Sequence, residues 1–490
     1  MTDPGHACNP ALLLLLVLLS FPASGSELPL SDCMLLDASG ARATPARCGT
    51  LAAAANPALS DPDQDQIELQ IAVIPALTES TDGIAFTVLA GGPGGSAKEF
   101  YAAYAPAFRY IHRHMDIILV DQRGTGGSAP LDCPRPPELE WDVSSEQISA
   151  LSTECLESLD RDPAPFTTSL AVQDLDAVRA ALGYQTLHLY GGSYGTRVAM
   201  HYLRRYPEQT KSLILDGVVP PGLALGPDIA LRAQQALDQL FSRCASDPAC
   251  DQRFPNLAGQ FQSLRQRLMD DPVSMTLPHP VSGEPVELEF GQAALVTAIR
   301  LLSYNDNGIS LLPLLISNAA EGRMTPLAAQ SLMVAEGLGE ALSAGMHNTV
   351  VCSEDLPFVR MDRDQWQALD SSYLGRAPLE GLQAVCKIWP TGPVDPDLRE
   401  PLVSDHPVLL LSGSVDPITP PAYADMAQQG LSASRHLVVE GHGHGVAALG
   451  CLPRLLDEFI TTGDAAAIDA SCLERITPAP IFLDFSGPGP

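Results

Sequence analysis

Apolar and polar positions follow two periods along this chain, and the places where one gives way to the other outline its organisation. Residues 67–76 (Ile-Glu-Leu-Gln-Ile-Ala-Val-Ile-Pro-Ala) alternate as a partly exposed strand does. Short β-rich runs at 85–90 and 116–120 end in turn residues, the pattern of strands buried in a parallel sheet. Residues 100–114, between them, read as a helix. Helical periodicity returns at 168–182 and stops at Gly183. A strand at 187–190, a helix at 196–206 and a strand at 212–216 follow, before Pro220-Pro221. This alternation predicts an α/β fold with a doubly wound, mostly parallel sheet. Residues 26–65, rich in Pro, Ala and Asp, carry neither period and read as irregular.

From about 222 to 403 the alternation stops, and mostly helical patterns with Pro-containing breaks replace it. Strand signals return at 407–412 and 435–440, each followed by polar residues and a helical pattern. The economical organisation is a sheet unit at 26–221, a helical insertion at 222–403, and the rest of the sheet unit at 404–490.

Charge narrows the function classes. The 490 residues carry 28 Lys+Arg against 58 Asp+Glu, a net charge of −30. Basic residues form no cluster, which argues against a nucleic-acid groove. The acid excess suits solubility. Residues 11–21 are apolar but too few to span a membrane, and Ala23-Ser24-Gly25 offers a small-residue cleavage site. Residues 1–25 therefore read as a signal peptide, although residues 1–10 contain no Lys or Arg. A secreted or periplasmic product, with no stable membrane insertion after cleavage, is expected. Of the 11 cysteines, Cys8 lies in that segment. The others fall as sequence neighbours: Cys33 and Cys48, Cys133 and Cys155, Cys244 and Cys250, Cys352 and Cys386, Cys451 and Cys472. Local disulfides fit an oxidising compartment, and no tight Cys/His spacing supports a metal site.

The candidate chemistry centres on residues 187–198, Leu-His-Leu-Tyr-Gly-Gly-Ser-Tyr-Gly-Thr-Arg-Val. A strand pattern meets Gly-x-Ser-x-Gly and a helix pattern follows, the layout of a nucleophile elbow. Gly191 and Gly195 flank Ser193 where side chains would collide in so tight a turn. The Tyr194 amide, opening the next helix, points towards a developing oxyanion. A serine hydroxyl needs a base, and the base needs an orienting carboxylate. In chain order Ser, acid, His, these lie beyond later strands. Asp416 follows the strand at 407–412, and Gly441-His442-Gly443-His444-Gly445 follows the next. Asp416 is the expected orienter and His444 the expected base, with His442 as the rival that the flanking glycines do not exclude. A second oxyanion donor is expected in the glycine-rich loop 91–95, at Gly92. The glycines at 121–128 read as a supporting turn, because no helix opens directly after them.

Taken together, Gly91-Gly92-Pro93-Gly94, Asp121-Gln122-Arg123-Gly124, Gly191-Gly192-Ser193-Tyr194-Gly195, Asp416 and Gly443-His444-Gly445 resemble the proline iminopeptidase and tripeptidyl aminopeptidase branch of the α/β-hydrolases. The resemblance covers about 66–222 and 404–475. Ala90 stands where proline iminopeptidases usually carry His, which is more similar to the larger secreted tripeptidyl aminopeptidase-like group. Cys451 soon after Gly-His-Gly also resembles that group and favours His444. The resemblance implies a serine aminopeptidase that needs no metal or cofactor and acts on peptides with a free amino terminus. It implies that the insertion covers Ser193, and that an anion holds the substrate ammonium. Cys352-Ser353-Glu354-Asp355 resembles the group's Cys-x-Glu-Asp segment, making Glu354 the first candidate anchor and Asp355 the second. An esterase or lipase would use the same triad, and a hydrolase-fold binding protein would use none.

Overall fold

The computed structural model describes residues 1–2, 28–37, 40–59, 61, 65–78, 83–134 and 142–488. The apolar run and cleavage site of the expected signal peptide lie outside the described residues. The strands are β1 (Ser31–Leu36), β2 (Ala43–Ala54), β3 (Gln66–Ile74), β4 (Ile84–Leu89), β5 (Ile117–Val120), β6 (Thr186–Gly192), β7 (Thr210–Asp216), β8 (Val273–Pro278), β9 (Pro285–Phe290), β10 (Val408–Gly413) and β11 (Ser434–Val439). All but β8 and β9 form one 9-stranded sheet in the order β1-β2-β3-β5-β4-β6-β7-β10-β11. Pairing is antiparallel from β1 to β5 and parallel from β5 to β11. Every residue of β5 and β10 is buried, as strands covered on both faces require. The parallel strands therefore deliver their carboxyl ends, with the loops that follow, to one edge of the sheet.

Three expectations need correction. Residues 31–36 and 43–54 are not irregular: they are β1 and β2, joined by the disulfide between Cys33 and Cys48. β2 lies between the edge strand β1 and β3, and pairing with both holds its half-exposed Ala, Gly and Thr without a strong alternation. The helix expected over 100–114 is the helix Ala97–Tyr104 followed by tight turns at Ala105–Phe108 and Ile111–Arg113. Pro106 lacks the N–H that a continuing helix needs. Within the helical region, β8 and β9 form a two-stranded antiparallel hairpin, and the alternation of Val286-Glu287-Leu288-Glu289-Phe290 is its signature in the sequence.

Between 227 and 386 the chain is otherwise mainly helical and has its own apolar core, built on Leu237, Phe261, Phe290, Ile299 and Leu315. Phe261 is wholly buried, with the rings of Phe241 and Tyr373 at 5.8 and 6.0 Å. Truncating such a side chain to Ala costs about 3–5 kcal/mol. All five neighbouring cysteine pairs are disulfides. Cys155, Cys352 and Trp389 share a small apolar cluster, so the helix Ser145–Ser158 packs with this region. No helix among the described residues is long and apolar enough to cross a membrane.

Candidate active site

Strand β6 ends at Gly192, and Ser193 turns the chain into the helix Tyr194–Arg205. Ser193 sits at φ 54°, ψ −122°, a strained conformation for a residue with a side chain. The surroundings enforce it. A Cβ on Gly191 would lie 2.4 Å from the Gly195 carbonyl oxygen, and one on Gly195 would lie 2.2 Å from that of Leu89. The Ser193 N–H donates to the Asp216 carbonyl at 2.8 Å, tying the elbow to the end of β7. The Ser193 hydroxyl makes no hydrogen bond to a described residue.

The loop after β4 lies against this serine: a Cβ on Gly91 would be 2.9 Å from Ser193 Cβ. Gly92 has φ 114° and Gly94 has φ 109°, which only glycine adopts readily. The N–H groups of Gly92 and Tyr194 donate to no described acceptor. Asp121 braces the loop from below, accepting from Ser96 Oγ at 2.8 Å and from Gly127 N at 3.0 Å, with Lys98 Nζ at 2.9 Å. Arg123 pairs with both oxygens of Asp174. The helical region reaches the loop from above, where Ser343 N donates to the Gly94 carbonyl at 3.0 Å.

Beyond β10, Asp416 is buried and its carboxylate is fully engaged. Oδ1 accepts from the N–H groups of Ile418 and Thr419 at 2.8 and 2.9 Å. Oδ2 accepts from Thr419 Oγ1 and contacts His444 Nδ1, both at 2.8 Å. Burial alone would raise its pKa, but the His444 charge and these hydrogen bonds outweigh burial and hold it below the ordinary value. His444 is the mirror case. Burial opposes its protonation, and the Asp416 contact and the more distant Asp216 charge overcome that, raising its pKa. The two loops meet backbone to backbone, because a Cβ on Gly413 would lie 2.1 Å from the Gly443 carbonyl oxygen. His442 faces elsewhere, with Nδ1 2.5 Å from Asp306 Oδ2. Of the two histidines, His444 is therefore the one joined to Asp416.

Asp216 is the site residue that sequence reasoning missed. Its carboxylate accepts from Tyr190 Oη at 2.9 Å, Val446 N at 3.0 Å and Ala447 N at 2.9 Å. It joins the serine elbow to the loop carrying His444. The only signal was an aspartate closing a strand pattern.

The acidic pair of the helical region sits on a π-helical turn, Val351–Asp355, a local widening common at functional sites. Glu354 is wholly buried. Its oxygens accept from Thr168 N and Thr168 Oγ1, both at 2.7 Å, and Thr168 Oγ1 lies 2.6 Å from the Tyr194 hydroxyl. Burial pushes its pKa up to about 7, against the lowering effect of Arg197 and Thr168. Asp355 is committed differently. Both its oxygens meet Arg197, at 2.9 and 3.2 Å, and Leu225 N adds a third bond at 3.0 Å. That buried ion pair leaves Glu354 as the acid of the two without a cationic partner in direct contact.

Among the described residues no group of His, Cys, Asp and Glu is arranged to hold a metal ion. A cavity of about 900 Å³ lies between the helix Pro227–Ser246 and the loops after β10 and β11. Its wall includes Gln234, Asp238, Ser414 and Glu440 but not Ser193.

Comparison with known proteins identifies the fold. A model of the alpha/beta hydrolase fold matches residues 85–343, and one described as TAP-like protein matches 371–472. The chain is 27% identical over 471 residues to serine protease Hip1 of Mycobacterium tuberculosis, covering 87% of each. It is 25% identical over 427 residues to the tripeptidyl aminopeptidase of Streptomyces coelicolor, covering 80% of this chain and 76% of that one. A crystal structure of proline iminopeptidase from Mycobacterium smegmatis aligns over 82% of this chain and 97% of its own, with 17% identity and a TM-score of 0.35.

Proposed function

The chain belongs to the alpha/beta hydrolase family, and we propose that it is an extracytoplasmic serine exopeptidase releasing proline or a short peptide from free amino termini. Ser193 is the nucleophile, His444 the general base and Asp416 the group that orients it. The observation that carries this reading is the 2.8 Å contact between Asp416 Oδ2 and His444 Nδ1, which directs Nε2 away from the acid and leaves it for a serine proton. Relatives named serine protease and tripeptidyl aminopeptidase support peptide-bond cleavage. Five disulfides support an oxidising compartment.

In this mechanism His444 Nε2 takes the Ser193 hydroxyl proton as Oγ attacks the scissile carbonyl. The free N–H groups of Gly92 and Tyr194 receive the oxyanion. His444 returns the proton to the leaving amine, and water, activated by the same imidazole, hydrolyses the acyl-enzyme. Glu354 holds the substrate ammonium, and Asp355 fixes Arg197 on the helix that follows the nucleophile. A fluorophosphonate should label Ser193, and turnover of unblocked peptide amides should be lost on N-acetylation. Hydrolysis of short acyl esters with no action on unblocked peptides would replace the peptidase reading with an esterase.

A further inference from the structure

We propose that His442 and Asp306 form a positioning pair through which the helical insertion sets the alignment of His444. This rests on the reading of His444 as the base.

The loop 441–445 is held from two sides. From the sheet side, Ser414 Oγ accepts from Gly441 N at 2.8 Å, and Asp216 accepts from Val446 and Ala447 just beyond the loop. From the other side, the loop meets residues 304–306, at the junction of the helices Gln292–Leu302 and Asp306–Ala320. Asp306 Oδ1 accepts from Gly443 N at 2.9 Å, and Oδ2 lies 2.5 Å from His442 Nδ1. The Tyr304 carbonyl accepts from the N–H of His444 itself at 3.0 Å. The Tyr304 ring stands edge-on to the His444 imidazole, with centroids 6.0 Å apart. The approach is close enough that a Cβ on Gly443 would be 3.1 Å from both Ile309 Cδ1 and the Tyr304 oxygen.

The backbone N–H groups of Gly443 and His444, with the side chain of His442, thus take their register from a carboxylate and a carbonyl that the sheet does not supply. Asp306 is the hub, since one side chain holds both His442 and Gly443. Arg243 is the other charged group acting on His442, and His442 Nε2 is buried with no hydrogen-bond partner among the described residues. Neither His442 nor Asp306 forms a hydrogen bond or ion pair with Asp416 or Ser193, so their effect on the reaction passes through the loop. If the 304–306 turn moves away, His444 loses the backbone bond that fixes its height above the sheet. The alignment of His444 therefore depends on how the insertion is seated against loop 441–445.

The test compares the full-length protein with Asp306→Ala, Asp306→Asn and His442→Gln. The readouts are peptide kinetics and the rate of Ser193 acylation by a fluorophosphonate, which requires the base but no peptide contacts. Misplacing a catalytic group by about 1 Å costs up to roughly 100-fold. Asp306→Ala should therefore lower kcat and the acylation rate together, by roughly 10- to 100-fold, with KM changed less than about 2-fold. Asp306→Asn keeps an oxygen for Gly443 and should recover part of that loss, and His442→Gln should fall between the two. Acylation rates within about 2-fold of the unaltered protein in folded Asp306→Asn and His442→Gln would overturn the pair's role, as would losses confined to KM. Failure of the unaltered protein to label would instead overturn the assignment of Ser193 and His444.

Discussion

Ser193 and Asp216 are joined by a 2.8 Å hydrogen bond from the serine N–H to the aspartate carbonyl, while the Asp216 carboxylate holds the loop beyond His444. One buried residue therefore references the Ser193 elbow and the His444 loop to the same point on the sheet. Asp216→Ala strands three donors, Tyr190 Oη, Val446 N and Ala447 N, and each buried unsatisfied donor costs about 1–3 kcal/mol. The expected outcome is a lower thermal midpoint and a reduced kcat together. A variant with unchanged kcat would show that the elbow and the histidine loop are placed independently.

Strand order and the ends of strands were legible because they depend on local pattern. Ser193, Asp416 and His444 each follow an apolar run, and parallel strands must bring such ends to one edge. Contacts between distant segments leave no comparable trace. Asp306 lies 136 residues from His442, on a helix start whose sequence only suggests a cap. Glu354 was read as an acid, yet its burial and its bonds to Thr168 depend on how the insertion folds back over the helix Thr168–Ala181. β1 and β2 escaped notice because pairing with neighbouring strands holds residues that carry little strand signal of their own.

The pH dependence of turnover follows from His444. Its pKa lies above the ordinary 6.5 because the Asp416 contact outweighs burial. As the proposed base, His444 must be neutral to act, so kcat should rise with pH through an inflection above that of an ordinary histidine. Asp416→Asn removes the charge, which moves the inflection down, and it disturbs the tautomer, which lowers kcat by roughly 10⁴-fold. Rate profiles of the two proteins check both effects. An inflection at the same pH in each would show that Asp416 does not set it.

Glu354 predicts a different profile, in KM. Its pKa is pushed up to about 7 by burial, so its anionic form, needed to hold an ammonium, increases as pH rises through that value. The peptide amine loses its proton near roughly 7.7–8.0. KM for unblocked peptides should therefore pass through a minimum between these limits. Glu354→Gln should raise it by roughly 10-fold or more, the worth of a charged hydrogen bond. Stability supplies a second readout. Between 4.5 and about 7 the folded protein keeps a proton that the unfolded chain has lost, so this group's contribution falls as pH rises. Glu354→Gln removes that penalty, so its thermal midpoint relative to the unaltered protein should improve as pH rises from 4.5 to about 7 and level off above that. A KM independent of pH and of this substitution would exclude Glu354 as the anchor.

The pair of His442 and Asp306 gives a pH window for stability that is independent of turnover. The His442 pKa is raised above 6.5, chiefly by its hydrogen bond to Asp306, so its stabilisation is complete below 6.5 and is lost as pH rises through the raised value. The Asp306 pKa is lowered below 3.8, because His442 and the Gly443 N–H outweigh its burial. Its contribution is complete above 3.8 and is lost as pH falls through the lowered value. Both conditions hold between 3.8 and 6.5. Asp306 is partly exposed, and screening limits the effect to the order of 1 kcal/mol. Asp306→Asn should therefore lower the thermal midpoint most within that window, with the gap narrowing on either side. Added salt should narrow it further. A gap that is constant from acid to alkaline pH would mean that Asp306 acts only as a hydrogen-bond acceptor for Gly443, with no ion pair to His442.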